Sequence, residues 1–251
     1  MRTKPRTYPN LFPTSDKPRV AYFCMEYGIH EEFPIYAGGL GVLAGDFVKS
    51  AADLAAPVVA MGILWRQGYT TQKIGSDGHP VDEYPPNNPE FLEDTGARVR
   101  VRLLAAEVEL RVWRVARYKI APLFLLDTVN HQDHWINQRL YDPRPDCRLA
   151  QEIVLGIGGV RALRKLGIDV DVVHFNEGHA VFAGLELICD RMASGDGFDE
   201  AWADARKRIV FTTHTPVPAG NEVHSLKDLR RIGAAQELLD KELEQIGGNP
   251  F

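Results

Sequence analysis

Five short, unbroken apolar runs constrain this chain more than any other feature: residues 19–25, 58–64, 121–127, 170–175 and 208–213. Most are rich in β-branched residues and show no polar–apolar alternation, the pattern of parallel strands buried on both faces. Most are followed by Gly, Asn, Glu or His, and helical patterns fill the gaps at 42–54, 148–166, 180–192 and 199–207. That alternation predicts an α/β fold, a Rossmann-like doubly wound parallel sheet. Residues 99–105 and 107–116 do alternate and are nearly contiguous, which predicts an antiparallel hairpin extending one edge.

The remaining segments read as connections and extensions. Residues 77–94, rich in Pro, Asn, Gly and acids, are expected to form a surface loop. Residues 226–246 are polar and helical, and Gly247 to Phe251 look like a turn leading onward rather than an ending. A loosely ordered leader is expected over residues 1–18, with one domain over 19–251. No run approaches the roughly 18 apolar residues of a membrane span, and the formal charge of -5 does not suggest nucleic acid or an anionic membrane as partner. Cys24, Cys147 and Cys189 lie far apart without CxxC spacing, so neither a disulfide framework nor a zinc site is expected and a reducing cytoplasm is the simplest home.

Several segments carry chemistry. Tyr36-Ala37-Gly38-Gly39-Leu40-Gly41 precedes a helix, so its backbone N–H groups and the positive helix end suit an anion such as phosphate. A plain glycine turn explains the same residues equally well. Gly156-Ile157-Gly158-Gly159 sits inside an apolar helical repeat and reads as close packing. Asn176-Glu177-Gly178-His179 follows one strand and Thr213-His214-Thr215-Pro216 another, both at the carboxyl edge where open α/β sheets bind ligands. There the amide, carboxylate and imidazoles suit sugar hydroxyls, although a helix cap at Asn176 accounts equally for the first cluster. Two such strand ends, each with a histidine, point to a shared site. Trp65 and Arg66 follow a third strand, where stacking on a sugar and pairing with hydroxyl or phosphate compete with simple packing. Glu177 and His179 alone are too few to hold a metal. His79, His131, His134 and His224 read as solvated.

In order and content these motifs resemble the glucan phosphorylases. The run 21–28 (AYFCMEYG), Gly38 to Gly41 with Leu43-Ala44-Gly45-Asp46, and Met61 to Tyr69 are similar to that family's opening segments. Arg139-Leu140-Tyr141, Arg148 to Glu152, His174 to His179 and Thr213 to Pro218 complete the series. The resemblance implies the first half of a GT-B glycosyltransferase fold and reversible phosphorolysis of α-1,4-glucan, maltodextrin or glycogen, to glucose 1-phosphate with retention. It further implies pyridoxal phosphate as cofactor, bound to a lysine in a C-terminal half that these residues do not contain. By the same resemblance Gly38 and Gly39 face phosphate, Leu40 and Gly41 lie against the sugar, and His214 contacts glucose and stabilises an oxocarbenium-like transition state through its carbonyl. Trp65, Arg66, Asn176, Glu177 and His179 then line the glucan side, and residues 142–146, including Asp146, gate it. Asn221 departs from the family's histidine, and self-association stays open. Competing readings are a nucleotide-sugar glucan synthase, whose glycine loop has a lysine-containing context absent here, and a glucan-binding module without turnover.

Overall fold

The computed structural model describes residues 5–87, 89–215 and 223–247. Pro216, Val217, Pro218 and Asn221 of the last motif, and residues 248–251, lie outside them. Strand β1 (Val20–Phe23) leads through α1 (Gly39–Asp53) into β2 (Val58–Ile63). A two-stranded ribbon, β3 (Thr71–Ile74) with β4 (Pro80–Glu83), precedes the long antiparallel pair β5 (Leu92–Leu103) and β6 (Ala106–Val115), and β7 (Leu123–Thr128) follows. Next come α2 (Pro145–Ile153), a π-helical turn (Val154–Gly158) and α3 (Gly159–Lys165), then β8 (Val172–Asn176), α4 (Phe182–Ala193), α5 (Phe198–Arg208) and β9 (Ile209–Thr212). Two short helices, α6 (Leu226–Ile232) and α7 (Asp240–Gly247), complete the described chain.

Seven strands form one sheet in the order β5-β6-β7-β2-β1-β8-β9. The five from β7 to β9 run parallel, and β6 and β5 extend it antiparallel, so the expected hairpin sits at the β7 edge. From β1 the chain moves to β2 on one side; from β8 it moves to β9 on the other. The order therefore reverses between β1 and β8, which makes that junction the topological switch point.

Strands β2 and β7 are buried at every position, which explains their unbroken apolar runs. Helices cover both faces. The ring of Tyr22 lies 4.3 Å from that of Phe47 in α1, while the next residue, Phe23, points to the opposite face and fills the space a side chain at Gly159 would need. A Cβ at Gly156 would stand 2.6 Å from the Ala183 nitrogen of α4, and one at Gly158 would meet Leu110 at 2.8 Å. The Gly-rich stretch is thus a packing surface, and the π turn runs through it.

Two expectations are corrected, and the described part of the leader makes specific contacts. The segment 77–94 is not simply a loop: Pro80–Glu83 pairs with Thr71–Ile74, and β5 begins at Leu92. The helical stretch 226–246 is broken by a left-handed Gly233 (φ 101°) into α6 and α7. The leader is tied down where it is described, because Arg6 and Tyr8 donate backbone hydrogen bonds to Thr95 and Leu166, both at 2.8 Å, and the Tyr8 ring packs edge-on against Phe124.

Gly45 of α1 abuts the chain leaving β1, where a Cβ would collide with the carbonyl of Gly28. Backbone faces backbone there, so no side chain can yield. Gly45→Ala is expected to cost about 1–3 kcal/mol, read as a lowered midpoint in urea denaturation; an unchanged midpoint would mean that α1 shifts freely.

Candidate active site at the sheet switch point

The carboxyl ends of β1 and β8 present two buried carboxylates, Glu26 and Glu177. Glu26 Oε2 accepts hydrogen bonds from the backbone nitrogens of Ala37 (2.6 Å) and Gly38 (3.2 Å), and Tyr141 Oη donates to its Oε1. Glu26 thereby fixes the turn that opens α1. Burial and the adjacent Glu26 carboxylate push the Tyr141 phenol well above its ordinary range, so it stays a donor.

At the head of α1 the expected anion cradle separates into two kinds of glycine. A Cβ on Gly38 or Gly39 would meet nothing within 4 Å, whereas one on Gly41 would collide with Tyr36 and stand 2.6 Å from Glu26 Oε2. Gly41 is therefore a packing glycine. Gly38 and Gly39 face open space, but the Gly38 N–H is committed to Glu26. The donors left for an anion are those of Gly39 and Leu40, which have no acceptor inside the helix.

Asn176 links the two central strands. Its Nδ2 donates to Tyr22 Oη at 2.6 Å, and its Oδ1 lies 2.9 Å from His214 Nε2, so Nε2 is the protonated nitrogen in this arrangement. Glu177 is 4% exposed and reaches the segment leaving β9. Its Oε1 accepts from the backbone nitrogens of His214 (2.5 Å) and Thr215 (3.1 Å), and Thr213 Oγ1 donates to Oε2 at 3.3 Å. These bonds engage the carboxylate within the protein, where Glu177 holds the segment leaving β9.

Other expected site residues sit elsewhere. Trp65 is fully buried and donates Nε1 to the Met25 carbonyl at 3.0 Å, which leaves no face for a sugar. Arg66 is bound to Asp127 at 2.7 Å and to the Thr128 carbonyl at 2.9 Å. Asp146 pairs with Arg231, which lowers its carboxyl below the usual range, and it lines a surface depression with Asp142, Arg148 and His224. His179 lies largely buried beneath Tyr141, ring centres 5.9 Å apart, and burial together with the Arg148 charge pushes its imidazole down to about 3. His224 is not solvated: its Nε2 is 3.2 Å from Glu152. A largely apolar cavity of about 630 Å³ opens beyond His179 between α4, α5 and β9, apart from the polar groups gathered at the switch point.

Sequence reasoning missed Glu26 as an organiser, although one carboxylate at the end of an apolar strand was a signal, as buried charges need partners. Nothing in the sequence announced its bond to Tyr141, 115 positions away.

The fold is an α/β domain of the GT-B type, with a candidate site at the carboxyl edge of its parallel strands. No family model matches the chain. It is 41% identical over 243 residues to a maltodextrin phosphorylase of Thermococcus litoralis, covering 92% of this chain and 29% of that protein. Glycogen phosphorylases of Mycobacterium tuberculosis and Aquifex aeolicus are 39% and 38% identical over 84% of this chain. Over most of its own length the chain is thus similar to maltodextrin and glycogen phosphorylases. It spans 27–33% of their length.

Proposed function

We propose that this chain forms the N-terminal, glucan- and phosphate-facing side of a glucan phosphorylase. The observation that carries the reading is the convergence at the switch point of an open helix start, Gly39 and Leu40, with a fixed imidazole and carbonyl at His214. In the reaction inorganic phosphate attacks C1 of a terminal α-1,4-linked glucose, the glycosidic bond breaks, and O4 of the leaving glucan takes a proton. The positive helix start orients the attacking phosphate. His214 holds the glucose, and its carbonyl dipole opposes the positive charge developing at C1.

The family's pyridoxal phosphate fits this site only as a neighbour. Glu26, Gly38, Gly39, Tyr141, Asn176, Glu177 and His214 include no lysine to bind it, while the space before Gly39 admits a phosphate group. When bound, it would supply a phosphate group for acid–base chemistry. Its lysine and the facing wall of the cleft belong in this proposal to a C-terminal half. The three free cysteines fit a reducing, cytoplasmic setting, and no described helix is long and apolar enough to cross a membrane.

The test is release of glucose 1-phosphate from maltoheptaose and phosphate. The complete protein is expected to release it and this chain alone to release almost none; robust release by the chain alone defeats the two-sided site. Gly39→Val tests the anion contact within the complete protein. Because a Cβ there meets nothing, stability is expected to stay within about 0.5 kcal/mol, while KM for phosphate rises at least about tenfold, the equivalent of 1.4 kcal/mol. An unchanged KM would move the phosphate away from α1.

A further inference from the structure

The backbone of Glu177 has φ 66° and ψ 176°, a region essentially reserved for glycine and costing on the order of 1–3 kcal/mol for other residues. Strain at this position needs a reason, and the carboxylate provides one. In this conformation, just past the end of β8, the side chain turns across to the segment leaving β9 and accepts the hydrogen bonds of Thr213, His214 and Thr215. The Glu177 N–H meanwhile donates to the Thr212 carbonyl at 2.9 Å, continuing the ladder between the two strands.

We propose that Glu177 is a positioning residue: its strained backbone and buried carboxylate together set the orientation of His214. This inference rests on the reading of His214 as a glucose contact. The His214 imidazole is fixed by Asn176 and its backbone nitrogen by Glu177, consecutive residues of one strand end. The pair thus fixes both the ring and the direction of the carbonyl. A carboxylate is suited to this because one oxygen accepts from two successive backbone nitrogens, which a carboxamide accepts more weakly and a hydroxyl cannot match.

The decisive variant is Glu177→Gly. Glycine adopts φ 66°, ψ 176° without strain, so the fold survives while the carboxylate is lost; Glu177→Gln, retaining the side-chain shape, is the companion. Hydrogen exchange of the His214 and Thr215 amides in the complete protein is measured first. In Glu177→Gly it is expected to accelerate at least about a hundredfold with β1 and β2 amides unchanged, and to a lesser degree in Glu177→Gln. Maltoheptaose affinity is measured in parallel, with His214→Ala as reference. Glu177→Gly is expected to weaken binding at least about tenfold, to the level of His214→Ala. Unchanged exchange at 214 and 215, or accelerated exchange with wild-type affinity while His214→Ala binds weakly, overturns the proposal. Equal binding by wild type and His214→Ala would instead remove His214 from the glucan site, with exchange still deciding whether Glu177 sets the loop.

Discussion

A His214→Ala variant of the complete protein is expected to lower kcat by roughly ten- to a hundredfold, the loss that follows from removing one aimed contact worth about 1.4–2.8 kcal/mol in the transition state. Two losses combine. The glucose loses its imidazole partner, and the buried Asn176 Oδ1 loses the donor 2.9 Å away that holds its amide in register with Tyr22. An orphaned buried acceptor costs about 1–3 kcal/mol, so Asn176 is expected to rotate or recruit water and loosen the floor of the cleft. His214→Gln, which can still donate to Asn176, is expected to recover part of the rate. A contact made equally in ground and transition states would raise KM and spare kcat. Unchanged kcat and KM would remove His214 from the site.

The second large effect concerns pH. Burial, and then the positive Arg148, hold the His179 imidazole down to about 3 in the folded chain, against about 6.5 when unfolded. Below about pH 6.5 the unfolded chain therefore takes up a proton that the folded chain refuses. Stability from this residue is complete above pH 6.5 and is lost as pH falls from there toward 3. At about 1.36 kcal/mol per unit, moving from pH 7.5 to 5 is expected to remove about 2 kcal/mol. His174, whose imidazole is lowered by burial and by nearby His214, acts in the same direction, so a slope remains when His179 is replaced. The measurement is urea denaturation at both pH values for wild type and His179→Phe. The variant is expected to lose about 2 kcal/mol less across the interval, and identical losses would show that His179 is not the residue refusing the proton.

What the sequence determined by itself was the class of fold and the sheet edge where the candidate site residues gather. Unbroken β-branched runs at 58–64 and 121–127 have only one stable home, the middle of a sheet covered on both faces, and β2 and β7 lie there. Alternation at 99–116 likewise specified a half-covered hairpin. Polar residues just after β8 and β9 were legible as candidate site residues because parallel strands deliver their carboxyl ends to one edge.

The sequence could not assign roles within that edge, because a role depends on which partners come within about 3 Å, and those partners are distant in the chain. Trp65 and Arg66 carry side chains suited to a sugar or a phosphate, yet Met25 and Asp127 claim them. Gly38, Gly39 and Gly41 are indistinguishable in sequence; only the packed positions of Tyr36 and Glu26 make one a packing requirement and leave the others open. Glu177 reads as a ligand group until its positive φ and the nitrogens of His214 and Thr215 show a carboxylate turned inward. Local pattern fixes where a strand ends. Which atoms meet there is decided by tertiary packing, since a buried charge must be satisfied by whatever the fold brings beside it.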